Sequence, residues 1–313
     1  MWRRGTVWSR GRVLAALAVL TALLLLFHRA VPNSVGRLGS LLESFLPWLG
    51  LVVVVLLVLA LLRRSATAAV ALVLPVVAWL VHFGELLRPG PESEPPGLLV
   101  VQHNASDENT DPVGTARALT DAAPDLIALE ELVAPGLGAY EKTLAPEFPY
   151  HAVRGTVGIW SKYPLSGTPH VDIRPEGITG PWSRGLRTVV HSPHGELAVY
   201  VAHLPSVRVG ATGLASARRD ESARLLGAAV AADEQKTVLL LGDLNGTVDD
   251  RGLDPLTSRL DAPGSGFAFS FPAALPVARI DQIMAGSATV GPIRTLPATG
   301  SDHLPVAARV SPV

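Results

Sequence analysis

The sequence predicts a layered α/β domain with a two-sheet core over roughly residues 98–313, carried behind three apolar membrane spans. Three observations lead there. Apolar residues are concentrated before Leu98. Short buried-strand patterns alternate with helical ones after it. Polar residues then recur at the ends of those strand-like runs.

The 313 residues suffice for one sizeable domain with added segments, and 48% of them are hydrophobic. Mean hydropathy is +0.34, high for a chain that is globular throughout. Apolar stretches cover about 13–31 (Val13 to Phe27 at its core), 46–62 and 66–83 within an anchor region 1–88. A spanning helix needs about 20 mostly apolar residues. A signal peptide is the competing reading of the first stretch. His28-Arg29 stand where a small-residue cleavage site would fall, and two further apolar stretches favour a multi-span anchor. Arg3, Arg4, Arg10 and Arg12 precede the first stretch and Arg63-Arg64 follow the second. With these on the inner side, the N-terminus is cytoplasmic and the chain emerges outside a cell membrane after the third span. Residues 89–97 form a Pro-rich linker, extending about 30 Å at ~3.1 Å per residue.

Residues 1–97 hold nine Arg and four Glu, a balance of +5, whereas the remainder holds 17 Lys+Arg and 23 Asp+Glu, a balance of −6. A mildly acidic domain is poorly suited to gripping a polyanion, so no nucleic-acid partner is expected. The chain has no Cys, which excludes thiolate metal sites, redox pairs and disulfides.

Within 98–313, Leu98–Gln102, Leu126–Leu129, Thr188–His191, Leu197–Ala202 and Val238–Leu241 read as buried strands. Val113–Ala122 and Leu214–Ala231 have helical composition and spacing, and Ile280–Ala285 and Pro305–Val310 read as closing strands. Asn104 follows the first run, Glu130-Glu131 the second, His203 the fourth, and Asp243 and Asn245 the fifth. Asp281 opens Ile-Asp-Gln-Ile, and Ser301-Asp302-His303 precede the last strand. A single strand-end polar group is ordinary; six sets in this order point to a site.

That order, with Gly242-Asp243-Leu244-Asn245 and Ser301-Asp302-His303 as its most specific pieces, resembles the endonuclease/exonuclease/phosphatase superfamily over essentially all of 98–313. The resemblance implies an α+β fold, a four-layer αββα sandwich like deoxyribonuclease I. Three spans ahead of such a domain, in an Arg-rich and Lys-poor chain, also resemble the VanJ-type teicoplanin-resistance proteins. Those are implicated in dephosphorylating undecaprenyl pyrophosphate outside the membrane.

By this resemblance Glu131 is the leading metal ligand, as the second acid of Leu129-Glu130-Glu131, where the family usually shows Leu-Gln-Glu. Asn104 supports the metal site or meets the phosphate, and Asp302 joins the metal site or the residues directly behind it. The expected ion is Mg²⁺, which prefers hard oxygen ligands, with Mn²⁺ as the alternative. Asp243 orients or deprotonates the attacking water and Asn245 donates to a phosphate oxygen. His303 meets the scissile phosphate, Asp281 holds its other ring nitrogen, and His203 is the second phosphate-binding histidine. Ala202 stands where the family often has Thr. Ser106 stands where it often has an acid or Asn, which favours one Mg²⁺ over two. Arg184 and Arg187, near Trp182, are further candidates to meet a phosphate, although Arg at a strand start is usually a surface residue. His28, His82, His103, His151, His170, His191 and His194 lack motif context and read as structural or surface residues.

The expected activity is hydrolysis of a membrane lipid pyrophosphate, set against three alternatives: an anchored nuclease, a phospholipid phosphodiesterase and a non-catalytic binding module. Fold and catalytic set alone do not separate the enzymatic readings.

Overall fold

Alternation along the strands builds the architecture. In β1 (Leu98–Asn104) Leu98 and Val100 enter one apolar cluster while Leu99 and Val101 enter another. In β2 (Leu126–Glu130) Leu126 and Ala128 face the first cluster and Ile127 and Leu129 the second. Both faces are covered, as period-two side-chain alternation requires of a sheet between two layers. The computed structural model describes residues 11–88 and 97–312. It divides into two compact units, Met1–Arg88 and Pro89–Val313. The linker expected at 89–97 and the arginines at positions 3, 4 and 10 lie outside the described residues, Gly97 excepted.

The N-terminal unit consists of α1 (Arg12–Leu26), α2 (Leu38–Ser44), α3 (Leu49–Leu62), α4 (Ala66–Ala71) and α5 (Val73–Phe83). Its small core joins Ala18, Val53, Leu56, Ala60, Ala68 and Leu72. Leu20, Val54, Val58, Leu61, Val77 and Val81 are all exposed, so the unit turns apolar side chains outward. The hydropathy pattern predicts three spans; the helices differ. Ala66–Phe83 is an 18-residue run long and apolar enough to cross a membrane. Leu38–Ser44 and Leu46–Leu62 meet those criteria only together and are bent by 68°. The first stretch is helical only over Arg12–Leu26, about 22 Å at 1.5 Å per residue, short of a ~30 Å hydrocarbon core. Thus three full-length spans are not found among the described residues: one helix qualifies, or two if the bent pair is one span.

The second unit is the expected α+β sandwich. After β1 come α6 (Pro112–Thr120), β2, α7 (Gly136–Leu144), β3 (Tyr150–Arg154), β4 (Val157–Ser161), β5 (Leu165–Ser166), β6 (Gly185–Ser192) and β7 (Gly195–Ala202). The chain continues through β8 (Val209–Gly210), β9 (Gly213–Leu214), α8 (Ala217–Ala231), β10 (Val238–Asp243), α9 (Asp254–Thr257), β11 (Asp281–Gly286), β12 (Ala288–Val290), β13 (Arg294–Thr295) and β14 (Val306–Pro312). One sheet has the order β12-β14-β1-β2-β4-β3 with β13 beside β14; the other runs β11-β10-β7-β6-β5. Val199, Val201, Leu239, Leu241 and Ile283 of the second sheet meet Val100, Ala128, Val306 and Ala308 of the first between the sheets. Leu119, Tyr140 and Leu144 of α6 and α7 pack on the outer face of the first sheet. Ala223, Leu226 and Val230 of α8 and Leu256 of α9 do so on the second. Helix, sheet, sheet and helix make four layers.

Local sequence explains the crossovers. β1 and β2 are parallel, as are β7 and β10, so each pair needs a long connection, supplied by α6 and α8. Asp111 caps α6 by accepting from Gly114 N at 2.8 Å, and Pro112 occupies the first turn. The expected helix from Leu214 begins at Ala217 instead, because Gly213-Leu214 pairs with Val209-Gly210 in a small hairpin. The hairpin β3–β4, turning at Gly155 with φ +61°, and the helix α7 have no counterpart in the sequence reading.

Candidate active site

Topology gathers the strand-end residues. β1, β2, β7 and β10 deliver Asn104, Glu130, His203 and Asp243 at their C-terminal ends. The strands antiparallel to β10 and β1, which are β11 and β14, start at that same end. Asp243 and Asp281 are direct register partners, and His303 precedes the first residue of β14 by three positions. Gly242 is required by close approach: a Cβ there would collide with the Ala202 carbonyl oxygen.

Asp243 is the hub. Its carboxylate accepts from Asn245 N at 2.9 Å, Asn245 Nδ2 at 3.2 Å and Asn104 Nδ2 at 3.1 Å. His203 Nε2 and His303 Nε2 stand 3.7 and 3.9 Å from its Oδ2. Asp281 Oδ2 lies 2.8 Å from His303 Nδ1, and the Phe271 ring packs against the His303 imidazole. Ser301 ties the dyad to β1, donating to the Asn104 carbonyl at 2.7 Å and accepting from His303 N at 3.0 Å. Glu131, at the open edge, is 3.7 Å from His203 Nε2.

Burial and charge set the protonation states. Burial lowers the pKa of His303, but the charge and hydrogen bond of Asp281 outweigh it and lift the imidazole to about 10. Asp281 is correspondingly held low by His303 against its own burial. Asp243 is pushed up to about 7 by burial, with the Asp281 charge adding to this against the His303 charge. His203 is driven down to about 3, by burial first and then by the charge of Arg184, so it is neutral at physiological pH. The site thus holds one cationic and one neutral imidazole around a carboxylate poised near neutrality.

The two adjacent acids separate. Glu130 is fully buried, accepts from Gln102 Nε2 at 2.7 Å, and has its pKa raised by burial and by Asp281 and Asp243. Glu131, in a left-handed conformation with φ +57°, exposes its side chain to the cleft. Ser106 and Asn245 are also left-handed, with φ +61° and +47°. Non-Gly residues in this region carry strain that surrounding structure must hold, and here they flank the site.

Asn104, His203, Asp243, Asn245, Asp281 and His303 come together, with Glu131 at the rim. Asp302 is exposed, and its contribution is a nearby charge that helps raise His303. Asn245 Nδ2 also reaches the Leu204 carbonyl at 3.0 Å, so its amide protons are engaged within the protein and it orients Asp243. Asn104 Oδ1 accepts from Ser106 N at 3.0 Å. Arg187, considered above as a phosphate contact, is committed to Asp233, with its Nε and Nη2 at 3.0 and 2.9 Å. Arg184 instead reaches the site, with Nη1 3.5 Å from His203 Nδ1. Sequence reasoning missed Gln102, whose amide bridges Glu130 and Asp281, and the buried Arg219, which binds the Asn245 carbonyl and Asp250. Gln102 precedes Asn104 by two residues, so period-two alternation places both on the same face; that spacing was the available signal.

The donor set suits a divalent cation. Glu130, Asp243 and Asp281 are buried beside Glu131, an acidic excess that a dication relieves, and oxygen donors match Mg²⁺. The buried His203 Nε2 has no hydrogen-bond partner among the described residues, facing Glu131 and Asp243 across gaps too wide for direct bonding. Asp243, Asp281 and His303 bring ligand-type atoms within 4.8 Å of one another. Since Asp281 and His303 are hydrogen-bonded to each other and Asp243 accepts from Asn104 and Asn245, Glu131 and the Asn104 amide oxygen are the groups best disposed to hold the ion.

A four-layer sandwich with two histidines, two aspartates and asparagines at one end of its sheets defines a phosphoester-hydrolysing class. The sequence pattern of the Endonuclease/Exonuclease/phosphatase family matches residues 90–303, and the chain belongs to this family. Its members are phosphoester hydrolases, often metal-dependent. Solved structures share the fold. An endonuclease/exonuclease/phosphatase from Beutenbergia cavernae is 18% identical over 69% of this chain and 72% of its own, with TM-score 0.57. A double mutant of Staphylococcus aureus beta toxin with bound magnesium ions is 15% identical over 68% and 99%, with TM-score 0.52. Sphingomyelinase C from Streptomyces griseocarneus is 18% identical over 69% and 99%, with TM-score 0.50. No curated relative matches the sequence significantly.

Proposed function

We propose that the protein is an extracytoplasmic, metal-dependent phosphatase of a membrane lipid pyrophosphate. Undecaprenyl pyrophosphate is the substrate, with a role in cell-wall synthesis and in teicoplanin resistance of the VanJ type. The observation that carries this reading is the union, in one chain, of a phosphoester-hydrolysing site with a helical unit whose Leu and Val side chains face outward. The helical unit anchors the chain in a cell membrane, N-terminus inside, as the arginine distribution indicates. The −6 balance of residues 98–313 speaks against a nuclease.

The residues act as follows. Asp243, positioned by Asn104 and Asn245, takes a proton from the attacking water; its pKa near 7 makes the carboxylate available at neutral pH. The His303 imidazolium, locked by Asp281, donates to a phosphoryl oxygen and stabilises charge as it develops. His203, neutral, donates or accepts without adding charge. A bound Mg²⁺ supplies Lewis-acid polarisation of the phosphoryl oxygens.

The test is phosphate release from undecaprenyl pyrophosphate by detergent-purified protein with Mg²⁺, beside His303→Ala and a DNA substrate. Release that needs His303 and metal, with DNA intact, is the expected result. Metal-dependent DNA cleavage without release sinks the substrate assignment but keeps the site. Hydrolysis of sphingomyelin instead would favour a phospholipid phosphodiesterase, a reading to which the structural likeness to sphingomyelinase C lends weight.

A further inference from the structure

Beside the catalytic centre lies a cavity of about 540 Å³ that the reaction chemistry above does not use. Its walls include Arg184, Arg208 and Arg218, with Ile178, Trp182 and Pro205 as an apolar side. Three arginines near this part of the domain are neutralised: Arg174 by Asp172, Arg187 by Asp233, Arg219 by Asp220 and Asp250. Arg184, Arg208 and Arg218 have no carboxylate within 4.0 Å among the described residues. Arg184 is half-buried, lies over the Trp182 ring at 4.3 Å and approaches His203 at 3.5 Å, so it joins the cavity to the catalytic centre. Burial disfavours its charge, and the nearby carboxylates Glu131, Asp243 and Asp107 restore part of it. A second cavity of about 400 Å³, bordered by Asp107 and Glu131, flanks the centre with acidic groups instead. Positive charge is therefore placed on one side of the cleft, in a domain that is acidic as a whole.

We propose that the cavity walled by Arg184, Arg208, Arg218 and Trp182 is a second-anion subsite for the non-transferred phosphoryl group of a terminal diphosphate. The inference rests on the phosphatase reading and deepens it. The histidines and Asp243 serve the phosphoryl group under attack; a phosphate monoester would leave three unpaired guanidinium groups unused. With a diphosphate, the oxygen of water bonds to the terminal phosphorus. The bridging P–O bond breaks with its electron pair remaining on the bridging oxygen. Orthophosphate and a phosphate monoester result, with one water proton passing to Asp243. The arginines then face the group on which leaving charge accumulates, as planar donors suited to phosphate. Ile178, Trp182 and Pro205 meet the first carbons of the organic chain. Both a lipid diphosphate and a nucleoside diphosphate offer this chemistry.

The full-length protein in detergent, at fixed free Mg²⁺, is titrated calorimetrically with methylenediphosphonate and with inorganic phosphate. Arg208→Gln/Arg218→Gln is compared with wild type and with Arg117→Gln/Arg259→Gln, which removes equal charge from exposed positions outside the cavity. Wild type is expected to prefer the diphosphonate by tenfold or more. The cavity variant loses about tenfold of that preference, since one charge-assisted contact contributes on this order, and the control keeps it. A preference unchanged in the cavity variant, or lost equally in the control, overturns the proposal. Farnesyl diphosphate and ADP as competitors separate the lipid from the nucleotide source. Displacement by single-stranded DNA that outcompetes both and depends on Arg208 and Arg218 overturns it in favour of nucleic acid. Binding that behaves as expected without phosphate release from a lipid diphosphate refutes the phosphatase reading and leaves the subsite standing.

Discussion

Replacing Asp281 with Asn tests the central electrostatic claim. Burial alone pulls a histidine below its ordinary pKa of 6.5; Asp281, 2.8 Å from His303 Nδ1, reverses that and raises it to about 10. Asn keeps the size and a hydrogen-bonding oxygen but carries no charge, so the variant loses the largest influences that lift His303 and the imidazole falls towards its ordinary 6.5. At pH 8 a group with pKa 10 is ~99% protonated and one with pKa 6.5 only ~3%. If the imidazolium is the working form, the variant loses about 30-fold in kcat/KM at pH 8, or about 2 kcal/mol of transition-state stabilisation. Activity rises with pH as Asp243 loses its proton and falls as His303 loses its own, and the falling limb moves to lower pH when Asp281 is neutralised. The assay is kcat/KM from about pH 5 to 10 at saturating Mg²⁺ for both proteins. A variant whose loss is the same at every pH, with the optimum unmoved, refutes the reasoning and leaves Asp281 a packing residue.

Three further outcomes are expected. Gly242→Ala places a methyl against the Ala202 carbonyl and costs about 3 kcal/mol or more; an unchanged melting temperature would show that β7 and β10 can separate locally. Arg187→Gln strips Asp233 of its cation, lowering stability by about 2 kcal/mol without altering kcat. Asp233 is held down at about 2 because the Arg187 and Tyr200 hydrogen bonds outweigh its burial. Its contribution is therefore fully present above the ordinary 3.8 and lost as pH falls through about 2. The variant unfolds at higher pH on acid titration. Chelation with EDTA abolishes hydrolysis and lowers the melting temperature, and Mg²⁺ restores both in wild type but not in Glu131→Gln; a melting temperature indifferent to Mg²⁺ would speak against an ion among these carboxylates.

Much of the catalytic unit is legible in the sequence. Apolar runs such as Leu98–Val101 and Val238–Leu241 announce buried strands, because only a sheet covered on both faces tolerates them. The Gly-Asp-Leu-Asn and Ser-Asp-His motifs mark the site because their residues lie together in the chain. The β3–β4 hairpin escaped because Tyr150–Ser161 mixes exposed polar and buried apolar positions around a single turn glycine. Spans escaped in the other direction: hydropathy measures apolar length, while the bend between Leu38–Ser44 and Leu46–Leu62 depends on packing.

The sequence by itself determined the central strands of both sheets and the identity of the polar groups at their ends. Tertiary structure decided which of those groups share a space and in what state of charge. Glu130 and Glu131 are neighbours of identical chemistry. A left-handed turn at Glu131 and the parallel register that seats Glu130 beside Gln102 and Asn104 bury the first and open the second. Arg184 and Arg187 are separated in the same way: a carboxylate 46 residues further along claims Arg187, and none among the described residues claims Arg184. Such choices follow from contacts distant in sequence, where the dielectric and the partner are set by the fold.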